Sequence, residues 1–146
     1  MKSANASGRA KKNSPRMSNM NIVVCATHPW NTNGYSLVMS NLVTHLAPMD
    51  GVGKIHYYGF QNVTGDKSWN KRVLPANVEV HDAMAHEEPK KMGFGEAQIK
   101  DYVVDKDPDV VLISNDSIVV ERITDKLMEI PERRFKIVVY QDLVYE

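Results

Sequence analysis

The feature that most constrains the fold is a series of five short apolar segments, rich in β-branched and aromatic residues. They lie at 21–26, 54–59, 78–81, 109–114 and 136–141. Several are apolar almost throughout, which is typical of strands that are covered on both faces of a sheet. Strands of this kind require helices on either side, so the stretches between them are expected to be helical.

Amphipathic helices are predicted in three of these intervening stretches, because apolar residues recur there at three- and four-residue spacing. The stretch 60–77 lacks this period and predicts a long polar connection. Strands that alternate with helices predict a doubly wound α/β domain with a mostly parallel sheet of about five strands. The apolar stripes are Tyr35, Val38, Leu42 and Leu46 with Met39 and Val43 beside them; more weakly Ile99, Tyr102 and Val103; and Val119, Ile123, Leu127 and Ile130.

The charge of the chain is unevenly distributed. Residues 1–19 contain five basic and no acidic side chains, which leaves 13 basic and 18 acidic groups, or −5, on the rest. A mildly acidic body argues against a nucleic-acid partner. The N-terminal stretch is small, polar and basic without an apolar core, so it predicts a disordered tail rather than a secretory signal. A transit peptide is the minor alternative.

Several classes of protein are disfavoured by the remaining composition. No apolar run approaches the ~20 residues of a membrane span, so we expect a cytoplasmic protein without a transmembrane segment. The single cysteine, Cys25, lies in the first predicted strand and is expected to be a buried structural thiol. The spacing of His81, His86, Glu87 and Glu88 fits no standard zinc pattern, and we expect neither a metal nor a cofactor.

The loop after the first strand, THPWNTNGYS at 27–36, is the first candidate site. Ligands of open α/β sheets bind beyond the carboxyl ends of the strands, near the point where the strand order reverses. Gly34 opens the predicted helix, whose unpaired N–H groups and positive dipole end suit a phosphate, and Asn33 or Ser36 could cap it. From this loop alone, a capped turn is the simpler interpretation, since neither a dinucleotide fingerprint nor a P-loop is present.

The ends of the later strands add polar residues to the same edge. ISNDSI at 113–118 follows the fourth strand, where Asp116 is either a helix cap or a ligand contact. YQDLVYE at 140–146 follows the fifth, and the Asp142 carboxylate could accept sugar hydroxyls. Trp30, in the first loop, suits stacking against a sugar ring or packing under the loop. No catalytic triad, carboxylate pair or Cys–His couple can be assembled from these residues. An α/β domain that has ligand-facing loops but lacks a complete catalytic set is typical of one half of an active site.

A family resemblance adds to this interpretation. Three consecutive features resemble the start of group 1 glycosyltransferases with the GT-B fold. They are a polar loop with Asn-Gly-Tyr, a helix that ends LVTHLA, and the segment GVGKIHYYGF. GFGEAQIKDYVVDKDPDVVLISND resembles the segment of that family in which a helix runs into a Pro-Asp-Val strand, and VVYQDLVYE resembles a strand that ends at the interdomain cleft. The resemblance covers residues 20–146. The family's Gly-Gly pair is Asn33-Gly34 here, and Gln141-Asp142 stand where a histidine is often found.

The resemblance implies a Rossmann-like N-terminal domain, half of a GT-B architecture and incomplete at its C-terminus. Such a domain lies on the acceptor side of an enzyme that moves a sugar from a nucleotide sugar to an acceptor hydroxyl, without a bound metal. The donor-binding domain would be separate or downstream, so the isolated chain is expected to be inactive. The implied donor contacts are Asn33, Gly34 and Tyr35, and the implied acceptor contacts are His28, Trp30, Asp116 and Asp142. A stand-alone flavodoxin-like binding or interaction module without catalysis is the alternative.

Overall fold

A computed structural model describes residues 18–62, 72–85, 87 and 92–141. Each strand and helix that the sequence predicts is present. Residues 1–17 of the predicted tail and Asp142 lie outside the described residues. The elements are β1 (Met20–Thr27), α1 (Gly34–Leu46), β2 (Val52–Phe60), β3 (Val78–Asp82), α2 (Ile99–Lys106), β4 (Val110–Ser114), α3 (Ser117–Met128) and β5 (Lys136–Val139).

The five strands form one sheet in the order β3-β2-β1-β4-β5, and every neighbouring pair is parallel. β1 is central, with β2 and β3 on one side and β4 and β5 on the other. The strand order therefore reverses between β1 and β4, and this gap is the topological switch point of the sheet. The predicted doubly wound, Rossmann-like α/β fold is confirmed.

Alternate residues of β1 enter two separate cores. Val24 and Ala26 pack with Met39 and Val43 of α1 on one face of the sheet. Cys25 belongs to the core on the opposite face, under α2 and α3. Helices on both faces explain why β1 is apolar at consecutive positions, as expected for a central parallel strand.

The buried face of α1 differs from the predicted stripe. The buried residues of this helix are Ser36, Met39, Ser40 and Val43. Tyr35, which begins the predicted stripe, has 44% of its surface exposed. The helix is thus where the periodicity places it, but it is rotated so that two serines lie inside and the tyrosine lies outside.

The connection between β2 and β3 is long and polar, as predicted. Its described parts, 61–62 and 72–77, contain neither helix nor strand. Asn77 fastens this segment, because its Nδ2 donates to the carbonyl oxygens of Ala47 at 2.9 Å and Gly53 at 2.8 Å. Among the described helices, none is long and apolar enough to cross a membrane.

Candidate functional site

A cleft of about 390 Å³ opens at the topological switch point, between the first turn of α1 and the carboxyl ends of β4 and β5. We call it the switch-point cleft. It lies where an open parallel sheet is expected to bind a ligand. Its lining residues are Asn33, Gly34, Tyr35, Val38, Ser114, Asn115, Tyr140 and Gln141.

Gly34, the first residue of α1, leaves open space at the edge of this cleft. The backbone is not left-handed there, and a Cβ atom built on Gly34 would have no neighbouring atom within 4 Å. Neither turn geometry nor packing therefore requires a glycine. Asn33 caps the helix, since its Oδ1 accepts from the N–H of Ser36 at 2.9 Å. No described residue accepts the N–H of Gly34, which lies at the positive end of the helix dipole.

A hydrogen bond between side chains joins the two sides of the cleft. The Tyr35 hydroxyl donates to Oδ1 of Asp116, in the loop after β4. Asp116 is the N-cap residue of α3, as predicted, but its side chain makes no capping hydrogen bond. Its carboxylate instead fixes the phenol that lines the cleft.

Amides and hydroxyls complete the wall on the β4 and β5 side. Asn115 Oδ1 accepts from the N–H of Asp116 at 2.9 Å, and Gln141 Nε2 donates to Ser117 Oγ at 2.6 Å. The backbone N–H of Tyr140 donates to Ile113 O at 2.9 Å, so the chain after β5 continues beside β4. These bonds hold the polar groups in place at the end of the sheet.

His28 lies away from the cleft, on the β2 side of β1. It is 1% exposed, and its N–H donates to Phe60 O at 2.9 Å. The ring fills the space beside Gly59, where a Cβ atom would come within 2.5 Å of His28 Cδ2. Nδ1 accepts from the N–H of Trp30 at 3.2 Å, which places the proton of the neutral ring on Nε2. Burial lowers the pKa of His28 to about 4, against a smaller opposing effect of Asp82.

The structure thus brings together part of the predicted site. Asn33, Gly34 and Tyr35 line the switch-point cleft, and Asp116 contacts Tyr35. Trp30 is half-buried with its ring 4.7 Å from that of His28, and neither residue lines the cleft. Asp142 lies outside the described residues.

Four further lining residues lie in the segments 113–118 and 140–146, which the sequence places at this edge, but they were not named as contacts. Ser114 and Asn115 directly follow the apolar run of β4. Once the strand order is known, this position indicates that they lie at the ligand-binding edge of the sheet. Tyr140 and Gln141 follow β5 in the same way. Arg72 carries no sequence signal, because it lies in the polar connection and contacts residues some 32 to 43 positions away.

The described lining of the cleft is polar and aromatic in character. Among the residues that the structure describes, the lining contains hydroxyls, carboxamides and aromatic rings, but no carboxylate, histidine, cysteine or basic side chain. Within the part of the chain that the structure describes, no group of three or more His, Cys, Asp or Glu residues could hold a metal ion. The open helix N-terminus suits an anionic group, and the amides and hydroxyls suit a polyhydroxylated one.

Comparison of the chain with protein-family models finds no match, and comparison with curated proteins finds no relative.

Proposed function

We propose that this chain is the acceptor-side domain of a glycosyltransferase that uses a nucleotide sugar. The switch-point cleft would receive part of the donor, with its diphosphate at the first turn of α1. The observation that carries this proposal is Gly34, where the helix begins with open space in front of it and an N–H without an acceptor among the described residues. The resemblance of residues 20–146 to group 1 glycosyltransferases supports the same assignment.

The residues around Gly34 fit the other parts of such a donor. The rings of Tyr35 and Tyr140 offer apolar surfaces for a sugar or base, and Ser114 and Asn115 offer hydrogen-bonding groups for hydroxyls. During transfer, the acceptor oxygen forms the new glycosidic bond as the bond from the sugar to the diphosphate breaks, and the hydroxyl proton is released to water. The departing diphosphate takes the electron pair and its negative charge, which the N-terminus of α1 stabilises.

A complete catalytic set would include groups from a donor-binding domain. The described part of the lining, which ends at Gln141, contains no carboxylate, histidine, cysteine or lysine to act as an acid or base. The domain is therefore proposed to supply one wall of the site and the acceptor side, while the partner domain holds the nucleotide. For half of such a site, a donor affinity near 1 mM is reasonable, which corresponds to about −4 kcal/mol.

Titration of the ¹⁵N-labelled chain with UDP-glucose, GDP-mannose, ADP-glucose and inorganic pyrophosphate tests the proposal. We expect saturable shifts of the backbone amide signals of Gly34, Tyr35 and Asn115. The amide of Val104, on the exposed side of α2, is the internal control and is expected to stay unchanged. Glucose alone, which has no diphosphate, is expected to leave Gly34 unchanged.

Two outcomes contradict the proposal. If neither the nucleotide sugars nor pyrophosphate shift the Gly34 amide, the cleft is not a diphosphate site. If the isolated chain binds a nucleotide without its sugar at about 1 μM or tighter, the stand-alone binding module becomes the better explanation.

A further inference from the structure

Arg72 reaches from the connection before β3 into the loop that leads to Gly34. Its Nη1 lies 2.9 Å from the carbonyl oxygen of Pro29 and 3.4 Å from that of Asn31. The same nitrogen lies 2.6 Å from Ser36 Oγ and 3.3 Å from Ser40 Oγ, both on the buried side of α1. One guanidinium therefore contacts both the loop 28–33 and the first two turns of the helix that the loop enters.

A second hydroxyl contact extends this arrangement towards β1. Ser36 Oγ accepts from Arg72 and donates to the carbonyl oxygen of His28 at 3.0 Å. Arg72 thus contacts Pro29 and Asn31 directly and is linked to His28 through one hydroxyl group. A separate contact holds the loop to the residue after β2, because Asn31 Nδ2 donates to Gln61 O at 3.0 Å.

A role in stability alone does not explain why the side chain at position 72 is charged. Among the described residues, no carboxylate forms an ion pair with it, and its hydrogen-bond acceptors are all neutral oxygens. A cation beside the N-terminal turn of a helix adds to the positive end of the dipole instead of offsetting it. That placement is unfavourable for an empty helix terminus and favourable when an anion lies there.

We propose that Arg72 is a positioning residue of the switch-point cleft. It fixes the loop 28–33 and the first turn of α1, and so sets the direction in which the Gly34 N–H points. This inference rests on the proposed function of the cleft as a diphosphate site. Arg72 acts through the loop and the helix and makes no contact with the ligand.

The test compares Arg72→Met, which keeps the aliphatic stem, with Arg72→Lys, which keeps the charge. Arg122→Met is the matched control, since Arg122 forms an ion pair with Glu96 at 2.5 Å and does not line the cleft. Each protein is measured for the amide shifts of Asn31 and Gly34 without ligand, for the Kd of UDP-glucose, and for the melting temperature. The fluorescence of Trp30, recorded in a Trp69→Phe background, gives an independent signal from the loop.

We expect Arg72→Met to shift the ligand-free amide signals of Asn31 and Gly34 and the emission of Trp30. Loss of a charged donor to two carbonyls predicts at least about tenfold weaker binding of UDP-glucose by the folded protein. Arg72→Lys is expected to recover part of that affinity, while Arg122→Met retains all of it. A role in stability alone would lower the melting temperature and leave the Kd of the folded protein within about twofold.

If Arg72→Met does not fold, Ser36→Ala tests the positioning role of Arg72 in its place. It removes the hydroxyl between Arg72 and His28 O, and we expect the same amide shifts with about threefold weaker binding. Unchanged loop signals and affinity in the variant that is measured would overturn the inference. If wild-type protein fails to bind UDP-glucose or pyrophosphate while Arg72→Met still moves the loop, the proposed function fails and the contact between Arg72 and the loop stands. If wild-type protein binds and the loop of the variant stays in place, the positioning role alone fails.

Discussion

Gly34→Val tests whether position 34 is a glycine because a ligand binds there or because the fold requires it. Valine places an isopropyl group into the open space at the start of α1, where a Cβ atom has no neighbour within 4 Å. The backbone of Gly34 is not left-handed, so the substitution introduces no conformational strain. In a helix, glycine is about 1 kcal/mol and valine about 0.6 kcal/mol less favourable than alanine, so the free energy of unfolding should change by less than about 0.5 kcal/mol.

Gly59→Ala is the matched control, because it adds a single methyl group where there is no room. Its Cβ would lie 2.5 Å from His28 Cδ2 and 3.0 Å from His28 Cα. Overpacking of this kind costs about 1–3 kcal/mol. The smaller substitution should therefore destabilise the protein more than the larger one.

Urea denaturation gives the free energy of unfolding of both variants, and the amide titration gives their affinity for UDP-glucose. We expect Gly34→Val to have a wild-type denaturation midpoint and no measurable binding. A loss of more than about 1 kcal/mol in Gly34→Val would show that the glycine serves the fold. Wild-type affinity in a folded Gly34→Val protein would show that the loop does not face the ligand.

Four further predictions concern the chain as a whole. The isolated protein should transfer no sugar from any nucleotide sugar, and turnover in a coupled assay that detects the released nucleoside diphosphate would contradict this. Removal of residues 1–17, which carry no apolar set able to pack, should shift the melting temperature by less than about 2 °C in calorimetry. Since the pKa of His28 is about 4 when folded and about 6.5 when unfolded, the unfolded chain binds more protons between these values. Stability should therefore fall by up to about 3 kcal/mol from pH 6.5 to pH 4, and His28→Gln should flatten this dependence in urea titrations. Burial raises the pKa of the Cys25 thiol, so a disulfide reagent should modify it only after unfolding; rapid modification of native protein would disprove its burial.

The sequence predicts the strands and helices because each depends on local pattern. β1 is apolar at consecutive positions, and this property indicates a strand that is covered on both faces of a parallel sheet. The capping role of Asn33 is equally local, since the cap and the amide that it binds are three residues apart.

Properties that depend on distant residues could not be predicted in this way. Ser36 and Ser40 are buried because Arg72 reaches them from more than 30 positions away. His28 is buried because Gly59, on the neighbouring strand, has no side chain in the space that the imidazole fills. Tyr140 and Gln141 join the cleft only because β4 and β5 lie on the opposite side of β1 from β2. Strand order is a global property, and no local pattern encodes it.

The central position of β1 has a consequence for the chain during synthesis. β1 can pair with β2 only once Phe60 has been made, and its other edge can pair only once β4 has been made; Asn21 bonds to Asp109 across a separation of 88 positions. At about 5–20 residues per second, the ribosome needs roughly 3 to 10 s to proceed from the end of β2 to the end of β4. Throughout that interval, the unpaired N–H and C=O groups of an apolar strand remain open to pairing with another nascent chain. Residues 110–114 therefore protect the growing polypeptide from association with its neighbours as well as completing the sheet.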